Sequence, residues 1–180
     1  MNVDNFLENI IEQIKEAQLK LGYVKEVIRL YFPKDSLCSL LDVSCGSGEE
    51  LVEKLRQEKR LSDTVLGSLQ FSCHGDRIGV CISLEGAAYV HDCVPDPLFL
   101  KGMIRLFQEA HCLSIEEICG YFESFQEPFV CEKMKPGTDF DYVLYFPEHK
   151  PDSWYYCIRT EMGHTIYHRF TEADYRALLV

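Results

Sequence analysis

Apolar side chains recur in alternating steps of three and four along the first fifth of the chain, at Leu7, Ile10, Ile14, Ala17, Leu21, Val24, Ile28 and Tyr31. That spacing predicts one long helix over about residues 4–32, with Pro33 as its stop and Gly22 outside the seam as a place to bend. Phe6, Ile11 and Val27 widen the stripe beyond a coiled-coil seam. The helix is therefore expected either to lie on its own domain, burying Leu7, Ile14, Leu21 and Ile28, or to mediate self-association or the docking of another protein.

The pattern changes to period two in the middle of the chain. Gly75-Asp76 suits a two-residue type II′ turn, and counting outward from it pairs Cys73 with Ile78, Phe71 with Val80 and Leu69 with Ile82. All six then share one face, while Gln70, Ser72, His74 and Arg77 take the other, so turn chemistry and alternation agree on the register. Beyond the hairpin, Asp96 and Pro97 read as the cap and first residue of a helix running to about His111, with Leu100, Met103, Ile104 and Phe107 apolar. Ser114 and Glu117 form a capping box for the next helix, which carries Ile118, Tyr121, Phe122 and Phe125.

The last third is aromatic-rich strand sequence over Phe129–Met134, Phe140–Phe146, Trp154–Thr160 and His164–Phe170, followed by a short helix capped by Thr171. Between the last two strands, a two-residue Met162-Gly163 turn would place Met162 at positive φ. A three-residue loop is expected instead, pairing Ile158 with Ile166, Tyr156 with His168 and Trp154 with Phe170. These elements predict an α+β protein with a long N-terminal helix, capped helices and mainly antiparallel sheet built from hairpins. The expected organisation is an N-terminal helix over 1–35, a helix/hairpin/helix half over 36–113, and over 114–180 a helix, four strands and a final helix. The two halves echo each other in their Ser-x-x-Glu helix starts and in hairpins leading to Ser83 and Thr171, as a duplication would leave them.

Charge narrows the partners. The 180 residues carry 29 acidic against 18 basic side chains, a net charge of -11, with no long basic block, so nucleic acid is not an expected partner. The N-terminus has no basic region leading into an apolar core, and no apolar run reaches the length of a spanning helix, so neither a signal peptide nor a membrane is expected. Nine cysteines without a Cys-x-x-Cys pair match neither a zinc pattern nor a disulfide framework, and several sit in apolar runs as small hydrophobes, which fits a reducing cytoplasm.

One segment looks like a catalytic signature: Leu-Leu-Asp-Val-Ser-Cys-Gly-Ser-Gly-Glu-Glu-Leu, residues 40–51. It resembles the first motif of class I S-adenosylmethionine-dependent methyltransferases, and the resemblance implies a buried parallel strand running into a Gly-x-Gly turn, with Asp42, Gly46 and Gly48 at the cofactor. It spans about a dozen residues, and Ser44 stands where the first glycine of the turn is usual. The window Val65–Ser72 holds no carboxylate for the ribose hydroxyls, and the following strands form hairpins rather than crossovers. The same letters read as a helix start, with Ser47 as N-cap and Glu50 three residues on.

Other candidates are thinner. His164 and His168 share a strand face and are the metal candidates, short of a third ligand. Cys131 and Cys157 sit in strands without an adjacent base, and Asp139 and Asp141 flank Phe140 at a strand start. No phosphate loop, zinc helix or nucleophile elbow occurs. No catalytic residue and no cofactor are assigned, and the reading is a non-catalytic cytoplasmic protein-interaction or ligand-binding module, with methyl transfer through residues 40–51 as the alternative.

Overall fold

The structure, a computed structural model, describes residues 1–110 and 112–179; the expected helix end at His111 lies outside the described residues. The architecture is α+β with two antiparallel sheets. The chain divides into two compact units, Met1–Asp96 and Pro97–Val180.

The first unit opens with α1 (Val3–Leu21), whose N-terminus is capped by the Asn2 side chain. The helix stops far short of residue 32. Gly22 takes a positive φ of 81° and ends it, which a glycine does without steric cost, and residues 28–33 form strand β1 (Ile28–Pro33). The apolar seam thus crosses two elements. On the helix, Val3, Phe6, Ile10 and Ile14 are the buried stripe, Leu7 is half-buried and Leu21 is 83% exposed. The missed strand does carry a period-two signal in Ile28, Leu30 and Phe32, which a heptad count through the same residues conceals.

Two short helices follow, α2 (Lys34–Leu41) and α3 (Gly48–Gln57), and then β2 (Gln70–His74), β3 (Arg77–Ile82) and α4 (Leu84–Cys93). The sheet order is β1-β3-β2. Phe71 opposes Val80 and Cys73 opposes Ile78 as the turn chemistry requires, with Gly75 at φ 64°. Ile28, Leu30 and Phe32 of β1 pair with Ile82, Val80 and Ile78, so one face of the sheet is continuous and apolar. Phe6 closes on that face, its ring 6.1 Å from Phe32 and 6.4 Å from Phe71. Burying a side chain of this size contributes roughly 1.5–3 kcal/mol.

The second unit begins with α5 (Leu98–Glu109) and α6 (Ile115–Glu123), continues through β4 (Val130–Lys133), β5 (Tyr142–Tyr145), β6 (Tyr155–Glu161) and β7 (His164–Phe170), and ends in α7 (Glu172–Leu178). The expected Asp96 cap is not formed: the N-cap position of α5 is taken by Pro97, whose side chain has no polar atom to cap with. The Ser114 and Glu117 capping box is present in full, and Thr171 caps α7 through the Asp174 N–H. The four strands pair in sequence order, and both faces are covered. Phe99, Met103, Ile118 and Phe122 pack with Leu144, Tyr156 and Ile158, while Tyr175 of α7 stacks on Tyr155 at 4.7 Å above Val143 and Cys157.

The last hairpin departs from the expected register. Glu161 pairs with His164 across a two-residue turn in which Met162 and Gly163 have φ of 50° and 78°, the two positive values a type I′ turn needs. Tyr156 therefore opposes Arg169, and Cys157 opposes His168. A slip of one residue exchanges the faces, and the observed register sends Phe170 and His168 to the Tyr155 and Cys157 side. Met162 takes the left-handed conformation at a local cost, since its Cβ crowds the backbone carbonyl, while its side chain stays 94% exposed. The strain should be relievable. Met162→Asn, which places a residue tolerant of that conformation in the turn, is expected to raise unfolding free energy by about 0.5–1 kcal/mol in urea titration.

Candidate functional site

The residues of the methyltransferase-like segment do come together, but around a helix end. Leu40 and Leu41 are the last residues of α2, and Asp42 follows in the left-handed conformation at φ 52°. Its N–H donates to the Ser39 carbonyl, and the N–H of Val43 donates to the Cys38 carbonyl at 3.0 Å. The buried parallel strand that the resemblance implies is replaced by this helix C-terminus, and both sheets are antiparallel.

Each glycine of the segment has a structural task. The N–H of Gly46 donates to Glu50 Oε2 at 2.8 Å, while Ser47 Oγ accepts the Glu50 N–H at 3.2 Å. The cap expected from the sequence is there, with the carboxylate returning to Gly46 rather than to the N-cap residue. Gly48 is buried where α3 meets the β2–β3 turn, and a Cβ there would stand 2.6 Å from Cys73 Sγ and 3.3 Å from the Gly75 carbonyl oxygen. It permits close helix packing, a role of a glycine in such a motif that needs no cofactor.

An open cavity of about 470 Å³ lies at this junction, lined by Asp35, Cys38, Ser39, Asp42, Val43, Ser44 and Cys45. Lys54 of α3 reaches across to it, its ammonium donating to the Ser44 carbonyl at 3.0 Å and to Cys45 Sγ at 3.4 Å while pairing with Glu50 at 2.8 Å. The hydrogen bond that Lys54 donates to Glu50 first, then that to Cys45, holds the Lys54 pKa above the ordinary lysine value. Burial, then the neighbouring Cys45 thiol, pushes the Cys38 thiol up.

A second cavity of about 380 Å³ is bounded by the C-terminal half of α1 and by α4, with Lys15, Gln18, Tyr23, His91 and Asp96 in its wall. The Lys15 side chain is only 5% exposed; its ammonium meets Asp96 Oδ1 at 2.9 Å and the Val90 carbonyl at 3.3 Å. Gln18 donates through Nε2 to the Ala87 carbonyl at 2.9 Å, and its Oε1 is buried without a hydrogen-bond partner. Tyr23 and His91 stack at 4.2 Å, and His91 Nδ1 lies 2.7 Å from Asp92. Of these five the sequence singles out only Asp96, and that as a helix cap. Lys15 and Gln18 are polar residues on the flank of an apolar stripe, and their partners lie some 70 residues or more away along the chain.

The remaining candidates stay apart. His164 and His168 are exposed on β7; His164 faces Glu161, and the His168 ring rests on Phe140 at 5.4 Å. Among the described residues no group of three or more His, Cys, Asp or Glu stands together to hold a metal ion. The corrected register does set His168 opposite Cys157, but Cys157 is buried and burial pushes its thiol up to about 12, away from a nucleophile. Cys131 is exposed on β4, and burial, then its contact with Cys131, raises the Cys119 thiol. Asp141 accepts the Thr160 N–H at 2.8 Å, so it ties the β5 approach to β6.

The chain belongs to the family described as "Domain of unknown function, E. rectale Gene description (DUF3877)", whose model matches residues 3–179. No match was found among curated proteins or among solved structures.

The capping assignment is testable. Ser47→Ala removes the acceptor for the Glu50 N–H and is expected to cost about 0.5–2 kcal/mol in chemical denaturation, while calorimetry with S-adenosylmethionine is expected to give the same trace for variant and native protein.

Proposed function

We propose that this protein is a non-catalytic cytoplasmic binding module whose first unit takes a small, flat, donor-bearing ligand in the cavity beside Lys15 and Gln18. The observation that carries the reading is the buried Gln18 Oε1, an acceptor without a partner in the wall of a cavity. A buried acceptor left unmade costs roughly 1–3 kcal/mol, so a turn of the Gln18 amide that presents Oε1 to a ligand N–H in the cavity recovers that interaction. Lys15 and Asp96 offset each other's charge, which favours a neutral or singly cationic ligand over an anion. The stacked Tyr23 and His91 rings supply an aromatic wall for a planar group. About 380 Å³ falls within the range of small-molecule sites. Nine free thiols support the reducing compartment.

A second reading, docking of another protein or self-association, is favoured by the apolar side chains left in water where α1 ends and β1 begins. Leu21, Val24, Val27 and Tyr31 are all exposed there.

Isothermal calorimetry with adenine and benzamidine, two planar molecules rich in N–H donors, tests the ligand reading. Saturable binding of at least one is expected, weakened roughly tenfold, about 1.4 kcal/mol, in Gln18→Leu and in Tyr23→Ala variants that keep the native circular dichroism. Absence of binding by both probes, or equal affinity in the Gln18→Leu variant, contradicts it.

A further inference from the structure

We propose that Cys38 and Cys45 are a dithiol site that exchanges with small disulfides, a place of reversible covalent modification separate from the Lys15 cavity. Three observations carry this. Both cysteines line the same open cavity at the end of α2, so a small oxidant reaches both. The backbone brings them together, because the Val43 N–H closes on the Cys38 carbonyl at 3.0 Å and turns the chain back on the helix, which leaves Cys45 near enough to help raise the Cys38 thiol. The Lys54 ammonium sits 3.4 Å from Cys45 Sγ, held there by Glu50 and the Ser44 carbonyl. A cation beside one thiol of an accessible pair is the environment in which cysteines exchange with disulfides.

The two sulfurs take different parts. The Lys54 ammonium lies against Cys45 Sγ, while burial raises the thiol of Cys38, so Cys45 attacks first. Cys45 gives its proton to solvent and its sulfur attacks one sulfur of the disulfide R–S–S–R. That S–S bond breaks, a mixed disulfide forms on Cys45, and one R–S⁻ leaves and takes a proton. Cys38 then gives its proton to solvent and attacks Cys45 Sγ, expelling the second R–S⁻, which is protonated in turn. The protein thiols lose two electrons and two protons, and the small disulfide gains both. In a reducing compartment such a bridge is transient and reports on the thiol pool. Its structural effect is local: a Cys38–Cys45 bond locks the left-handed turn at Asp42 and narrows the cavity.

The sequence allows a direct readout, since residues 35–54 form a tryptic peptide between Lys34 and Lys54 that contains these two cysteines and no other. The reduced full chain is treated with glutathione disulfide, blocked with N-ethylmaleimide and digested. The expected peptide carries no maleimide and is lighter than the reduced peptide by two hydrogens; dithiothreitol treatment before blocking restores two maleimides. In the Cys38→Ser protein the same peptide is expected to retain one glutathione on Cys45. Two maleimides on the native peptide after oxidation, or glutathione persisting on native Cys45, would overturn the proposal.

Discussion

One buried ammonium organises the first unit. Lys15 lies on the same helix as Phe6, Ile10 and Ile14, next to the buried stripe, and nearly all of its side chain is out of water. Removing an ammonium from water costs several kcal/mol unless it is paired, so α1 is held where Lys15 finds both Asp96 and the Val90 carbonyl. Val90 lies in the last turn of α4, where the carbonyl dipoles favour a cation. The same pair lines a cavity with Gln18, whose buried Oε1 has no hydrogen-bond partner.

Legibility followed locality. Turn chemistry and alternation within a dozen residues were enough for the Phe71 and Val80 register, and the Ser47, Ser114 and Thr171 caps were readable because a cap depends on its own next three residues. Two features competed locally and were misread. A heptad count ran through Gly22 into β1, although the glycine at positive φ and the Ile28, Leu30, Phe32 alternation separate helix from strand. At Met162 the cost of a left-handed residue was weighed without the ladder it enables, in which strands on either side pair from Tyr155 with Phe170 to Glu161 with His164. The helix α2 carried no clear signal, since Pro33 caps it without a side-chain bond.

The candidate sites were less readable for the same reason. Residues 40–51 were visible as a motif, but motif letters alone do not distinguish a strand entering a Gly-x-Gly turn from a helix ending at Asp42. The distinction is made by Gly48 against Cys73 and by the Val43 amide on Cys38. Lys54 and the thiol pair become a unit only when α3 folds back on the end of α2. The Lys15 cavity depends on contacts between residues about 70 or more positions apart, which no single-sequence pattern encodes.

The claim on which the first unit and its cavity rest is that Lys15 and Asp96 act as a pair. A double-mutant cycle with Lys15→Met, Asp96→Asn and the combined variant, followed by urea denaturation, tests it directly. The account predicts a coupling energy above about 1 kcal/mol that persists in high salt, as a buried ammonium requires. Single-variant effects that add to within about 0.3–0.5 kcal/mol would contradict it.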